Sequence, residues 1–260
     1  MIRVAVFNNG DYSDMEYSYL IMYPQQYGLI FFESILLKIC NHYGFLQCLN
    51  ALFIGLSVFF VGRLSYEVSQ NYNVGLFGVI ITALCFPLHY YVSFVYGDVF
   101  LVFSMLFVSW LILRGIQRNR IGYLLGALGC AICMVPIRMN SLIFMVALFI
   151  ILILSSLKLG KPLLAVFAPL FIILPIISNK GILLYYEKVS NIEIGNDEIP
   201  TINWVVMGLQ GEVYEGNGVG YYNGYNYASW NMNDKNKQKS IESSKQKTFK
   251  IDVEYARERL

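Results

Sequence analysis

Charge is what this sequence has least of. Only 14% of its 260 residues are Asp, Glu, Lys or Arg, against about 25% in ordinary soluble domains, and 57% are hydrophobic where about 45–50% is usual. An ordinary soluble fold is thereby excluded. The basic residues are scattered between apolar blocks and the net charge is only +2, so no basic face exists for nucleic acid to bind. Histidine is nearly absent, with His42 and His89 alone. The five cysteines, Cys40, Cys48, Cys85, Cys130 and Cys133, all lie in apolar segments. Cys130-x-x-Cys133 has no second pair and no nearby histidine, and reads as buried thiols rather than a metal or redox centre. The first 22 residues have no apolar core and carry Asp11, Asp14 and Glu16, so they do not read as a cleavable signal peptide. Internal repeats and charges at mid-span, the usual marks of a transporter, are missing as well.

What is present is a series of apolar blocks. Residues 45–64, 74–94, 99–113, 121–137, 141–157 and 162–178 are each apolar and of a length suited to crossing a bilayer. The expected fold class is therefore an all-α polytopic membrane protein with six transmembrane helices. Residues 28–40 differ, because Glu33 and Lys38 sit mid-block, where each charge costs about 2.5–3.5 kcal/mol in hydrocarbon. This block reads as an interfacial helix. The expected organisation is an outer loop segment at 1–26, the interfacial helix at 27–44, a membrane domain at 45–178 and an extracytoplasmic polar region at 179–260. Pro24 opens this sequence of helices, since proline favours the first helical turn and disfavours helix before it.

The loop charges orient the spans. Arg63, then Arg114, Arg118 and Arg120, then Lys158 and Lys161 fall on one side; Arg138 and the interfacial Lys38 fall on the other. Positive charge marks the cytoplasmic side. The N-terminal segment, the junction at Asp98, the junction at Arg138–Asn140 and the tail after Ser178 then all face outward. The location expected is the cell membrane, with both terminal segments outside.

Several polar groups gather on that outer face. Asp98, after Tyr96 and Gly97, is a carboxylate at an outer span boundary. It reads either as an acidic loop residue or as a base or cation-binding group at a pocket mouth. Arg138, beside Asn140, breaks the positive-inside pattern; it either snorkels to headgroups or meets a lipid phosphate in bidentate fashion. His89 reads as a belt residue as readily as a proton shuttle. The Gly122-x-x-x-Gly126 pair within one span reads as close helix packing rather than chemistry. From Trp204 to Trp230 the tail is rich in Gly, Asn, Tyr and Trp, a composition suited either to a loop lying on the membrane or to a sugar-binding surface.

Taken in order, Gly10-Asp11-Tyr12-Ser13 running to Tyr23-Pro24-Gln25-Gln26-Tyr27-Gly28, then Phe94-Val95-Tyr96-Gly97-Asp98, Arg138-Met139-Asn140-Ser141, and Met207-Gly208-Leu209 ahead of Gly220-Tyr221-Tyr222-Asn223, resemble the GT-C glycosyltransferases. The resemblance is to the bacterial, protein-mannosyltransferase-like membrane proteins in particular. It implies transfer of a sugar from a polyprenyl-phosphate carrier to a glycan or protein acceptor at the outer side of the bilayer. It also implies that residues 28–40 are the family's juxtamembrane helix. The spans here would be the family's second to seventh, and its essential first-loop aspartate would lie upstream, which makes the chain look like a fragment; Asp11 and Asp14 are the substitutes within it. An inverting transfer needs a base for the acceptor hydroxyl and positive charge for the departing phosphate. The resemblance gives the first task to an outer-loop carboxylate and the second to Arg138. Asp98 would orient the acceptor or hold a cation. Tyr23, Gln25 and Gln26 would line the sugar pocket, with Tyr96 and Asn140 also on the substrate. A divalent cation is compatible with this chemistry but not demanded by it. The rival readings are a transporter or lipid-carrier flippase, and a truncated, catalytically dead relative.

Overall fold

A computed structural model describes Leu20, residues 23–191 and Ile194. The chain divides into two compact units, one of residues 1–15 and 25–192 and one of residues 16–24 and 193–260. Of the second, only Leu20, Tyr23, Pro24 and Ile194 are described. Asp11, Asp14 and the aromatic stretch from Trp204 to Trp230 lie outside the described residues.

The first unit is a bundle of helices. After a 3-10 turn, Pro24–Gln26, these are α1 Tyr27–Ile39, α2 Tyr43–Ser69, α3 Tyr72–Ala83, α4 Phe86–Tyr90, α5 Asp98–Arg118, α6 Ile121–Ile137, α7 Ser141–Leu159 and α8 Pro162–Ser190. Four of them, α2, α5, α7 and α8, are long and apolar enough to cross a membrane, and α6 is a shorter apolar helix of 17 residues. The protein is an all-α polytopic membrane protein. α1, at 13 residues, rises only about 20 Å and falls short of the ~30 Å hydrocarbon core.

The block 74–94 is not one straight helix. It breaks after Ala83 and resumes at Phe86, with the two pieces bent by 52°. Pro87 is the cause: it lacks the N–H that would bond back to the Ala83 carbonyl at the end of α3, and its ring would clash with that carbonyl in a continuous helix, so a new helix starts with Pro87 in its first turn. The other difference is at the helix ends. α2 runs past Leu64 to Ser69 and α8 runs past Ser178 to Ser190. Glu67 is thus a helical residue rather than a loop residue.

Helices α5 to α8 enclose the core, where Val108, Ala127, Ala131, Met134, Met145, Leu152, Ala168 and Phe171 are all fully buried. An aromatic column joins α2 to α5. Phe53 stacks on Phe103 at 5.2 Å, Phe103 on Phe107 at 5.7 Å and Phe107 on Trp110 at 6.3 Å, with Phe60 against both Phe107 and Trp110. On α5 these rings recur every three or four residues, so one face of the helix carries all of them.

Close backbone approach falls elsewhere than at Gly122 and Gly126. A Cβ at Gly122 would meet nothing within 4 Å, and one at Gly126 only Leu111 at 3.7 Å. The tight points are Gly28, where a Cβ would lie 2.0 Å from the Pro136 carbonyl oxygen, and Gly62, where it would lie 2.4 Å from Val79. Gly28 lets α1 sit directly on the backbone of α6.

Glu33 is buried on α1, facing a small cavity shared with Asn50 and Gly97. Burial raises its carboxyl from the ordinary 4.5 to about 7. The folded state therefore holds the proton more tightly than the unfolded chain does. The stability so gained is complete below pH 4.5 and is lost as pH rises through about 7. Its full size is about 3 kcal/mol. Thermal unfolding in detergent across this range is expected to show stability falling with pH, and Glu33→Gln is expected to flatten that slope; an unchanged slope in the variant would assign it to another group.

Candidate functional site

Three connections meet at one end of the bundle: the segment before α5, the junction of α6 with α7, and the turn into α1. Asn50, buried on α2, donates to the carbonyls of Val92 (3.3 Å) and Phe94 (3.1 Å), and the Tyr43 hydroxyl donates to that of Ser93 (2.8 Å). These bonds fix the end of a 3-10 turn, Tyr91–Ser93, and the extended Phe94 that leads to Tyr96. Gly97 then takes φ +81°, a left-handed conformation that favours glycine. A Cβ there would lie 2.9 Å from Ile137 and 3.4 Å from the Arg138 side chain. Glycine is needed at 97 for both reasons, and the turn it makes delivers Asp98 to the first turn of α5.

Asp98 and Arg138 form a bidentate pair. Arg138 Nε donates to Asp98 Oδ1 at 2.7 Å and Nη2 to Oδ2 at 2.8 Å. The guanidinium also lies over the Tyr96 ring, 4.3 Å from its centroid. Gln26 Nε2 donates to the Tyr96 hydroxyl at 2.6 Å. Gln26, Tyr96, Asp98 and Arg138 are thus linked side by side, although residue 26 and residue 138 are far apart in the chain. Asp98 gains further from its place at the N-terminus of α5, where the helix dipole favours a negative charge.

The pair is partly exposed and stands on a cleft of about 470 Å³. Asp98 and Arg138 share its lining with Cys85, Pro87, Leu88, Tyr91, Val99 and Val102. The break at Pro87 makes one wall of that cleft. The other expected residues are placed by the elements that carry them. Asn140 is exposed and precedes α7 without capping it through its side chain. Gln25 lies in the 3-10 turn before α1, and Tyr23 belongs to the second unit. His89 Nε2 lies 2.8 Å from the Ala83 carbonyl oxygen, across the break. His42 caps α2, accepting from the Gly44 N–H at 3.0 Å.

Among the described residues no three His, Cys, Asp or Glu side chains converge on a metal-sized site. Both Asp98 oxygens already accept from Arg138, so a cation on Asp98 would share the carboxylate with the guanidinium. Asn50, which holds the backbone leading to the pair, is a residue that hydropathy alone passes over. Its signal is a lone amide in an apolar block, a residue type that lipid does not tolerate without a partner.

The bundle thus carries a charge-paired polar end that opens on a largely apolar cleft. Residues 31–178 match the family described as dolichyl-phosphate-mannose-protein mannosyltransferase. That match covers more than half of the chain and includes Tyr96, Asp98, Arg138 and Asn140; the chain belongs to this family. No curated protein and no solved structure matches it.

Proposed function

We propose that the protein transfers a sugar from a polyprenyl-phosphate carrier to a glycan or protein acceptor on the outer side of the cell membrane, at the end of the bundle that carries Asp98 and Arg138. The observation that carries this reading is the bidentate Arg138–Asp98 pair on the rim of the 470 Å³ cleft. A guanidinium held flat between a carboxylate and an aromatic ring keeps its outer N–H edge aimed in one direction. That edge suits the two anionic oxygens of a lipid phosphate. As the sugar leaves, negative charge grows on the phosphate, and a preorganised cation stabilises it at little reorganisation cost.

Asp98 serves here as the positioning partner of Arg138. Both of its oxygens hold the guanidinium, and we assign deprotonation of the acceptor hydroxyl to a carboxylate of the N-terminal segment, for which Asp11 and Asp14 are the candidates. Gln26, Tyr96 and, from the sequence, Tyr23, Gln25 and Asn140 supply hydroxyl and amide contacts to the sugar.

Membranes bearing the full chain and radiolabelled polyprenyl-phosphate mannose test this directly. Label passing to an acceptor supports transfer. Donor bound but not consumed would mark a catalytically dead relative, and label crossing sealed vesicles without transfer would mark a flippase. Sidedness has its own test. Single cysteines at Gln25 and Asn140, in a background with the five native cysteines replaced, are expected to react with a membrane-impermeant maleimide on intact cells, and reaction only after permeabilisation would invert the proposed orientation.

A further inference from the structure

The opposite end of the bundle holds a second charged cluster. Glu67 Oε1 accepts from Arg63 Nη2 at 3.2 Å, Arg114 Nη2 at 2.5 Å and Trp110 Nε1 at 3.0 Å. Arg114 lies about 24 Å along α5 from Asp98, so the two clusters are separate. Two guanidiniums on one carboxylate leave a net positive charge at this end. Arg114 is largely buried, but the Arg63 side chain is 39% exposed.

Arg63 also lines a cleft of about 450 Å³ between α2 and α3. Gly62 and Gly75 shape it by letting the two helices approach closely: a Cβ on Gly75 would lie 3.1 Å from the Gly62 carbonyl oxygen. Beside that contact Phe59 and Leu76 present exposed apolar faces, and Tyr66 and Tyr72 complete the lining with their phenol rings. The cleft is thus apolar along its walls with one unbalanced cation at its edge, and α2, which supplies that cation, is of membrane-crossing length.

We propose that this cleft is a binding site for a lipid with an anionic headgroup, with the headgroup phosphate on Arg63 and an acyl chain along Phe59 and Leu76. Charge complementarity selects the headgroup. Arg63 spends one nitrogen on Glu67, and the rest of its fork is free to meet a phosphate. The site lies outside the transfer chemistry and makes no demand on Asp98 or Arg138.

The purified full chain in nanodiscs of phosphatidylcholine mixed with phosphatidylglycerol, released and weighed by native mass spectrometry, is expected to retain phosphatidylglycerol about fivefold in preference to phosphatidylcholine. Arg63→Gln is expected to abolish the preference by removing the cation. Leu76→Trp is expected to abolish it by filling the cleft while leaving every charge in place. Arg120→Gln, on the exposed α5–α6 connection, is expected to leave it unchanged. No preference in the wild type, or a preference that survives Leu76→Trp, would overturn the proposal. Leu76→Trp decides alone should Arg63→Gln fail to fold, because it does not touch the Glu67 cluster.

Discussion

Arg138→Ala is expected to lower sugar transfer about a hundred- to a thousandfold, the usual effect of removing one preorganised donor from a developing negative charge. The loss is expected chiefly in kcat, since the charge on the phosphate grows as the bond to the sugar breaks. Arg138→Lys should recover little. An ammonium can satisfy one Asp98 oxygen or one phosphate oxygen, but it cannot span two and cannot lie flat on Tyr96. Asp98→Ala is expected to harm transfer less than Arg138→Ala, because it frees the guanidinium to turn without removing it. Combining the two should be no worse than Arg138→Ala alone, the non-additivity of residues that act as a unit. Asp98→Glu offers the rescue test: a longer carboxylate still able to hold Arg138 should restore part of kcat. Full transfer by Arg138→Ala would sink the role given to the arginine. Equal, additive losses for the two residues would show that Asp98 acts on its own rather than through its partner.

The fold is legible wherever lipid imposes a composition. Apolar blocks of bilayer length, separated by short polar junctions, leave few alternatives to membrane helices. The shortness and mid-block charges of residues 28–40 also mark α1 as a helix apart. The site is legible in pieces. Arg138 draws attention by standing on the wrong side of a charge pattern, and Asp98 by standing at a span boundary, but that the two join in one bidentate pair depends on how α5 and α6 pack, which no local pattern encodes. Gly97 and Gly28 matter through what lies 2 to 3 Å from them in space, so sequence shows the glycines and not the reason for them. The break at Leu84–Cys85 is readable from Pro87 but hidden by hydropathy, which is continuous over 74–94. Glu67 is the plainest omission. Ending the span at Leu64 puts it in a loop, yet Asn50, Phe53, Ser57, Phe60 and Glu67 recur at three- and four-residue steps, or their sum, along α2. A helix continued one turn further places Glu67 on the same face as the aromatic column.

Glu67→Ala is the substitution expected to harm stability most, by about 3–5 kcal/mol, the range for removing one partner of a buried ion pair. The Glu67 side chain is 5% exposed and that of Arg114 17%, so the loss would strand a guanidinium away from water. Glu67 Oε2 and Arg114 Nε have no hydrogen-bond partner among the described residues, which leaves Oε1 carrying the whole set of contacts to Arg63, Arg114 and Trp110. Glu67→Gln keeps an oxygen there and should fall between the wild type and Glu67→Ala. Arg63, being more exposed, is expected to contribute no more than a surface pair, about 0–1 kcal/mol. Trp110 reports on the same contact, because its indole N–H donates to Glu67 at 3.0 Å, and its fluorescence can follow thermal unfolding in detergent. Glu67→Leu joined with Arg114→Leu should regain most of the stability lost by Glu67→Ala, since an apolar pair needs no compensating charge. A loss from Glu67→Ala no larger than that of a surface pair would mean that water reaches Arg114, and the net charge invoked at that end of the bundle would then be screened.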